Sequence, residues 1–222
     1  MSQVTAQQLD TLYQAVSDLY ASEDDLPFHG WHHIDFVYAK TAIFADDLGA
    51  DKNLAQAAAL VHDLNYLAKR HALSYPEDGQ HMRVDLLQRS GFSDEVIAQI
   101  EMIVTTGEVG RGGEHLLLEA KALSDADILF KIIPTTPLLF TTCFLAQNHS
   151  NIRKLANRVV TVQKPLIDQD IYFYSDTAKN LYIKWAHMNL ALWENVLESL
   201  DDPDIVKMLA QAGFDCDDTL QV

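Results

Sequence analysis

A histidine followed at once by an aspartate, His62-Asp63, closes the apolar run Ala57-Ala58-Ala59-Leu60-Val61. Two ionisable side chains placed against such a run need compensation. A divalent cation supplies it, because imidazole nitrogen and carboxylate oxygen ligate Zn²⁺, Mn²⁺, Fe²⁺ and, less well for the imidazole, Mg²⁺. Further candidate ligands are His29, His32 and His33 upstream and Asp125 and Asp127 downstream. Asp127 precedes Ile128 and Leu129, which implies a largely buried setting.

The elements that must position these residues read as helices almost throughout. Leu9, Leu12, Tyr13, Val16, Leu19 and Tyr20 fall on one helical face. A second helix is expected from His33 to Leu48 with Gly49 as its stop, and a third from about Lys52 to Tyr66 containing the His-Asp pair. Pro76 or Glu77 opens a fourth through Arg89, and Ser93 caps a fifth through about Thr105. Gly107, Gly110, Gly112 and Gly113 read as a loop, without the pattern of a phosphate loop. Helix resumes near Glu114 and runs to about Ile133, where Pro134 and Pro137 interrupt it. Three more are expected over Asn151 to Lys164, Thr177 to Leu200 and Pro203 to Ala212. Leu166 to Tyr174 is the one stretch with a hint of strand. The fold class is all-α, expected as one domain over 1–222, with a core of candidate ligands at about 28–130 and C-terminal helices at about 150–212. A subdivision is expected near Pro134 to Ser150.

The motifs extend beyond the His-Asp pair. Phe28-His29-Gly30-Trp31-His32-His33-Ile34-Asp35-Phe36-Val37, Ala58-Ala59-Leu60-Val61-His62-Asp63-Leu64-Asn65-Tyr66 and Leu123-Ser124-Asp125-Ala126-Asp127-Ile128-Leu129 follow one another in order. Together they resemble the opening, central and closing motifs of the HD superfamily of metal-dependent phosphohydrolases, over roughly residues 28 to 130. The resemblance implies an HD-domain-like helical bundle with metal ligands His33, His62, Asp63 and Asp127, Asp125 competing for the last place. It also implies that His29 sits where some relatives protonate the leaving group. The stretch Pro76-Glu77-Asp78-Gly79-Gln80-His81 departs from the Asn-Glu-x-x-Ser-like segment that the family leads one to expect, and no histidine lies near Thr105-Thr106. The second departure argues against a second metal ion.

The expected activity is therefore removal of phosphate from a small phosphorylated molecule, a nucleotide being the leading example. The cofactor is one of Mn²⁺, Mg²⁺, Fe²⁺, Zn²⁺, Co²⁺ or Ni²⁺. Asp63 serves as ligand and proton acceptor, and His29 or Glu77 supplies the proton to the leaving group. Lys69, Arg70, His81 and Arg83 are the cationic candidates for holding the substrate. Two other readings stand beside this one: an HD-type di-iron oxygenase, and a non-catalytic helical module that binds a metal or ligand.

Composition bounds the partners. The 222 residues carry 16 basic and 32 acidic side chains, for a net charge of −16. That surface repels long nucleic acids and anionic membranes, while a small anion can bind where a metal inverts the local field. Cys143 and Cys216, the two cysteines, form no CxxC, and Met1 to Thr5 lack a signal-peptide pattern, so a cytoplasmic location is expected. The apolar helices after residue 135 offer a face on which a homodimer could form.

Overall fold

The computed structural model describes residues 4–21, 26–70, 76–107, 115–214 and 216. Among them it contains eleven helices and no strand: α1 (Ala6–Ala21), α2 (Trp31–Leu48), α3 (Lys52–Val61), α4 (Leu64–Arg70), α5 (Pro76–Arg89), α6 (Asp94–Thr106), α7 (Leu118–Ile132), α8 (Thr135–Gln147), α9 (Ile152–Asp168), α10 (Asp176–Ser199) and α11 (Pro203–Gln211). The main core is built where α2 packs along α3 and α7, with α1 and α6 closing over α3. α3 is buried continuously from Ala55 to Val61. Its four alanines let neighbouring helices approach closely, and a helix buried on all sides needs no polar face.

Local chemistry sets most boundaries. Asp51, Ser93, Asn151 and Ser175 each accept a hydrogen bond from a first-turn amide of the helix they precede. Gly49 ends α2 in the left-handed region at φ 69°. Gly30 begins it because a Cβ there would stand 2.5 Å from the Leu26 carbonyl oxygen.

Three expectations are corrected. The helix over the His-Asp pair is not continuous: α3 ends at Val61, and His62-Asp63 forms the turn before α4. His62 Nδ1 lies 2.8 Å from the Ala59 carbonyl, so the ring N–H takes the acceptor that the Asp63 amide would use in an unbroken helix. The stretch from Pro134, read only as an interruption of helix, holds a further helix, α8. Pro134 caps α8 and Pro137 sits in its first turn, where an amide N–H is not required. Leu166 to Tyr174 is the end of α9 and a following loop, not a strand.

α7 carries both downstream aspartates. Its residues from Ala122 to Phe130 are all buried. Positions two apart differ by about 200° around a helix axis, so Asp125 and Asp127 face opposite ways. Asp125 accepts from the Tyr174 and Ser175 amides, each at 2.8 Å, and thereby ties the start of α10 to α7. Burial pushes its carboxyl up to about 7 against the pull of those bonds. Asp127 turns toward the junction of α3 and α4.

Candidate metal centre

α2 delivers His33, the α3–α4 turn delivers His62 and Asp63, and α7 delivers Asp127. His33 Nε2 lies 3.2 Å from His62 Nε2, 3.1 Å from Asp63 Oδ2 and 3.6 Å from Asp127 Oδ1. His62 Nε2 lies 3.3 Å from Asp63 Oδ2. Donor atoms of His33, His62 and Asp127 fall within 4.8 Å of one another. Ligands held about 2.0–2.2 Å from one divalent ion stand roughly 3.0–3.6 Å apart, the spacing that His33 Nε2 keeps from the His62, Asp63 and Asp127 donors.

The polar bookkeeping points the same way. The Ala59 carbonyl fixes the His62 proton on Nδ1 and leaves the Nε2 lone pair facing the cluster. Asp127 Oδ1 is buried without a hydrogen-bond partner among the described residues, a costly state for a carboxylate oxygen unless a cation faces it. Burial opposes charge on His62, yet Asp63 above all outweighs it and raises the ring to about 8. Burial also disfavours the charged Asp63, but His62, followed by the bonds to His33 and His62, holds its carboxyl well below the usual range. His33, fully buried, is lowered chiefly by desolvation. Two carboxylates thus hold a positive charge at the centre of a buried site, and a metal ion fits that donor set.

The other sequence candidates are dispersed. His32 is exposed and stacks on Phe140, with ring centroids 5.3 Å apart. His81 is exposed on α5 and is not among the residues that border the cavity described below. Arg83 borders that cavity, but its guanidinium is engaged by Glu101 at 2.7 and 2.8 Å. The side chains of Lys69, Arg70 and Glu77 lie outside the described residues. Among the described residues no second group of His, Cys, Asp or Glu converges in this way.

His29 is 3% exposed. Its ring stacks on Tyr66 at 3.5 Å and lies edge-on to Phe28 at 4.8 Å. Burial lowers it to about 3 despite the nearby Asp63, so it is a neutral imidazole at ordinary pH, not the near-neutral group expected from the sequence. Gln147 at the end of α8 fixes its tautomer. The Phe28 amide donates to Gln147 Oε1 at 3.2 Å, which leaves Gln147 Nε2 to donate to His29 Nδ1 at 2.7 Å. The His29 proton therefore sits on Nε2.

Sequence reasoning missed two residues at this site. Lys131 follows Asp127 by one helical turn, and its Nζ lies 2.5 Å from Asp127 Oδ2. The i,i+4 spacing on a single helix was the available signal. Gln147 carried none, being 118 positions from its partner.

The cluster lies at the wall of a cavity of about 830 Å³ bordered by His29, His62, Asp63, Asp127 and Lys131 on one side and by α8, α9 and α10 on the other. Phe130 packs edge-on to His33 at 4.5 Å, and Phe28 and Phe144 meet at 5.0 Å near the mouth of the metal cluster.

Residues 30–131 match the family model of the HD domain. That stretch carries an HD domain, an all-helical fold of a metal-dependent hydrolase superfamily. A solved structure from Lactobacillus plantarum, a structural-genomics target, superposes over 95% of this chain and 100% of its own, with a TM-score of 0.63 and 19% identity. That likeness is one of fold. No curated protein matches the chain in sequence. No single described helix is long and apolar enough to cross a membrane.

Proposed function

We propose that this protein is a metal-dependent phosphohydrolase that releases phosphate from a small phosphomonoester, a nucleotide being the leading candidate. The observation that carries the reading is the convergence of His33, His62, Asp63 and Asp127 beside a cavity much larger than a phosphate group. A divalent ion held by these four side chains supplies the charge that polarises a phosphoryl oxygen and makes a water more acidic.

The chain's own residues do the rest. Lys131 gives the cavity a cation directly beside Asp127, on a protein whose net charge otherwise opposes an anion. Asp63 stays ionised in this setting, so its carboxylate is available to the metal and to a hydrogen bond from an attacking water. His29, locked with its proton on Nε2, offers a neutral hydrogen-bond donor to the ester oxygen that takes on charge as the bond breaks. Phe28 and Phe144 limit water around that donor, which strengthens it.

The test is a panel of phosphomonoesters assayed with Mn²⁺, Mg²⁺, Co²⁺, Ni²⁺ and Zn²⁺, with Asp63→Ala as the control. Release of phosphate by the wild type and not by the variant supports the reading. Absence of release with every metal and ester overturns it.

Gln147 gives a sharper readout of the His29 assignment. A glutamate there keeps an acceptor for the Phe28 amide but cannot donate to Nδ1, so the His29 proton moves to Nδ1 and the ring becomes easier to protonate. Gln147→Glu is expected to lower kcat on the order of a hundredfold with little change in KM, and to add a histidine ionisation to the pH profile. An unchanged kcat would remove His29 from the reaction.

A further inference from the structure

The wall of the cavity opposite the metal cluster is made by α9 and α10, and its polar groups are wired in one direction. Trp193 Nε1 donates to Asn189 Oδ1 at 3.2 Å. Asn189 Nδ2 donates to Gln163 Oε1 at 2.9 Å. All three residues are 5% exposed. An indole N–H can only donate, so it fixes the Asn189 amide, and Asn189 fixes the Gln163 amide in turn. The relay leaves Gln163 Nε2 as its last donor, and Gln163 borders the cavity. Arg158, the remaining polar group that this wall brings to the cavity, is also a donor only. Between them the surface is apolar, formed by Leu155, Val159 and Val162 beside the Trp193 ring. An edge made of donors, set in an apolar wall, defines a ligand by what that edge lacks.

We infer that this wall is the specificity subsite for the organic part of the substrate, and that it selects a ring with apolar faces whose edge presents an oxo acceptor rather than an amino donor. The inference rests on the phosphohydrolase reading only in assigning the phosphate end to the metal cluster. A ring oxo group satisfies Gln163 Nε2. An amino group in its place sets donor against donor and leaves both unpaired, which discriminates on the order of tenfold to a hundredfold.

Inosine and adenosine carry the two ring edges without a phosphate, so their binding to the full chain is measured by NMR titration in the presence of a chelator. Inosine is expected to bind at least tenfold more tightly. The same preference is expected in kcat/KM for the two 5′-monophosphates with metal present. Gln163→Glu keeps an acceptor for Asn189 but turns an oxygen to the cavity, and it is expected to reverse the preference. Trp193→Phe keeps an aromatic ring but removes the N–H that fixes the relay. It lets the Asn189 and Gln163 amides turn over, and it is expected to bring the two affinities within about twofold. Equal binding of the two nucleosides to the wild type, no binding of either, or an undiminished inosine preference in Trp193→Phe overturns the subsite. A preference for inosine with no phosphate released from any ester leaves the subsite standing and overturns the phosphohydrolase reading instead.

Discussion

Asp63→Ala, purified and loaded with Mn²⁺ or Zn²⁺ beside the wild type, is expected to retain less than a tenth of an equivalent of metal where the wild type holds about one. The reason lies in what Asp63 does for the two histidines. Its Oδ2 stands 3.1 Å from His33 Nε2 and 3.3 Å from His62 Nε2, so the carboxylate is the anion shared by both rings. Without it, two imidazole nitrogens 3.2 Å apart and a carboxylate already engaged by Lys131 must hold a dication in a buried site. Substitutions that merely orient a ligand cost about 10- to 100-fold in metal affinity, so loss of a ligand costs more than about a hundredfold. His62→Ala is expected to have the same effect. Lys131→Met, which frees Asp127 Oδ2, is expected to leave the metal in place. Metal content by plasma mass spectrometry, with circular dichroism to confirm the helices, decides the point. A stoichiometric ion in Asp63→Ala removes that residue from the ligand set.

The candidate ligands were legible in the sequence because His62-Asp63 and Asp127 adjoin apolar residues where an ionisable group is out of place, and because three motifs resembling one family follow one another in order, which alone singled out His33 among its neighbouring histidines. The break in the helix at His62 was not legible. A period count sees a continuous apolar run, whereas the turn depends on a ring nitrogen competing for the Ala59 carbonyl. Pro134 and Pro137 misled in the other direction: proline marks a helix end or a helix start according to which side of it lies in the first turn, and here α8 begins at Thr135. The far side of the cavity escaped sequence reading altogether. Gln163, Asn189 and Trp193 are unremarkable on their own helices, and only the packing of α9 and α10 opposite the metal cluster brings them to the cavity.

The buried imidazole of His29 makes a prediction about stability that stands apart from turnover. Its pKa is about 3 in the folded chain, because burial outweighs the attraction of Asp63 and because His33 and Lys131 add repulsion. In the unfolded chain it is an ordinary histidine near 6.5. Between those values the unfolded state binds a proton that the folded state refuses, so this residue costs stability as pH falls below 6.5. The slope approaches about 1.4 kcal/mol per pH unit once pH is well below 6.5, and the loss between pH 6.5 and 4.5 is roughly 2.3 kcal/mol. Other groups titrate in the same window. Burial also lowers His33 and adds to the loss. Asp125, raised to about 7 by burial, works against it, because the folded state takes up a proton there before the unfolded state does. His62, raised to about 8, takes up its proton before the unfolded state does, so it contributes a small opposite slope just below pH 6.5 and none once both states are protonated. The total slope of the wild type therefore mixes several sites, and the difference from a variant isolates one. His29→Phe keeps a ring against Tyr66 and Phe28 and removes the titration. Urea unfolding of both proteins with metal chelated, at pH 6.5, 5.5 and 4.5, is expected to show wild-type stability falling relative to the variant by about 1.0 kcal/mol over the first step and about 1.3 kcal/mol over the second. Parallel pH dependences would mean that His29 takes up its proton in the folded chain as readily as in the unfolded one. The neutral donor assigned to it beside the metal cluster would then be lost with the buried setting that creates it.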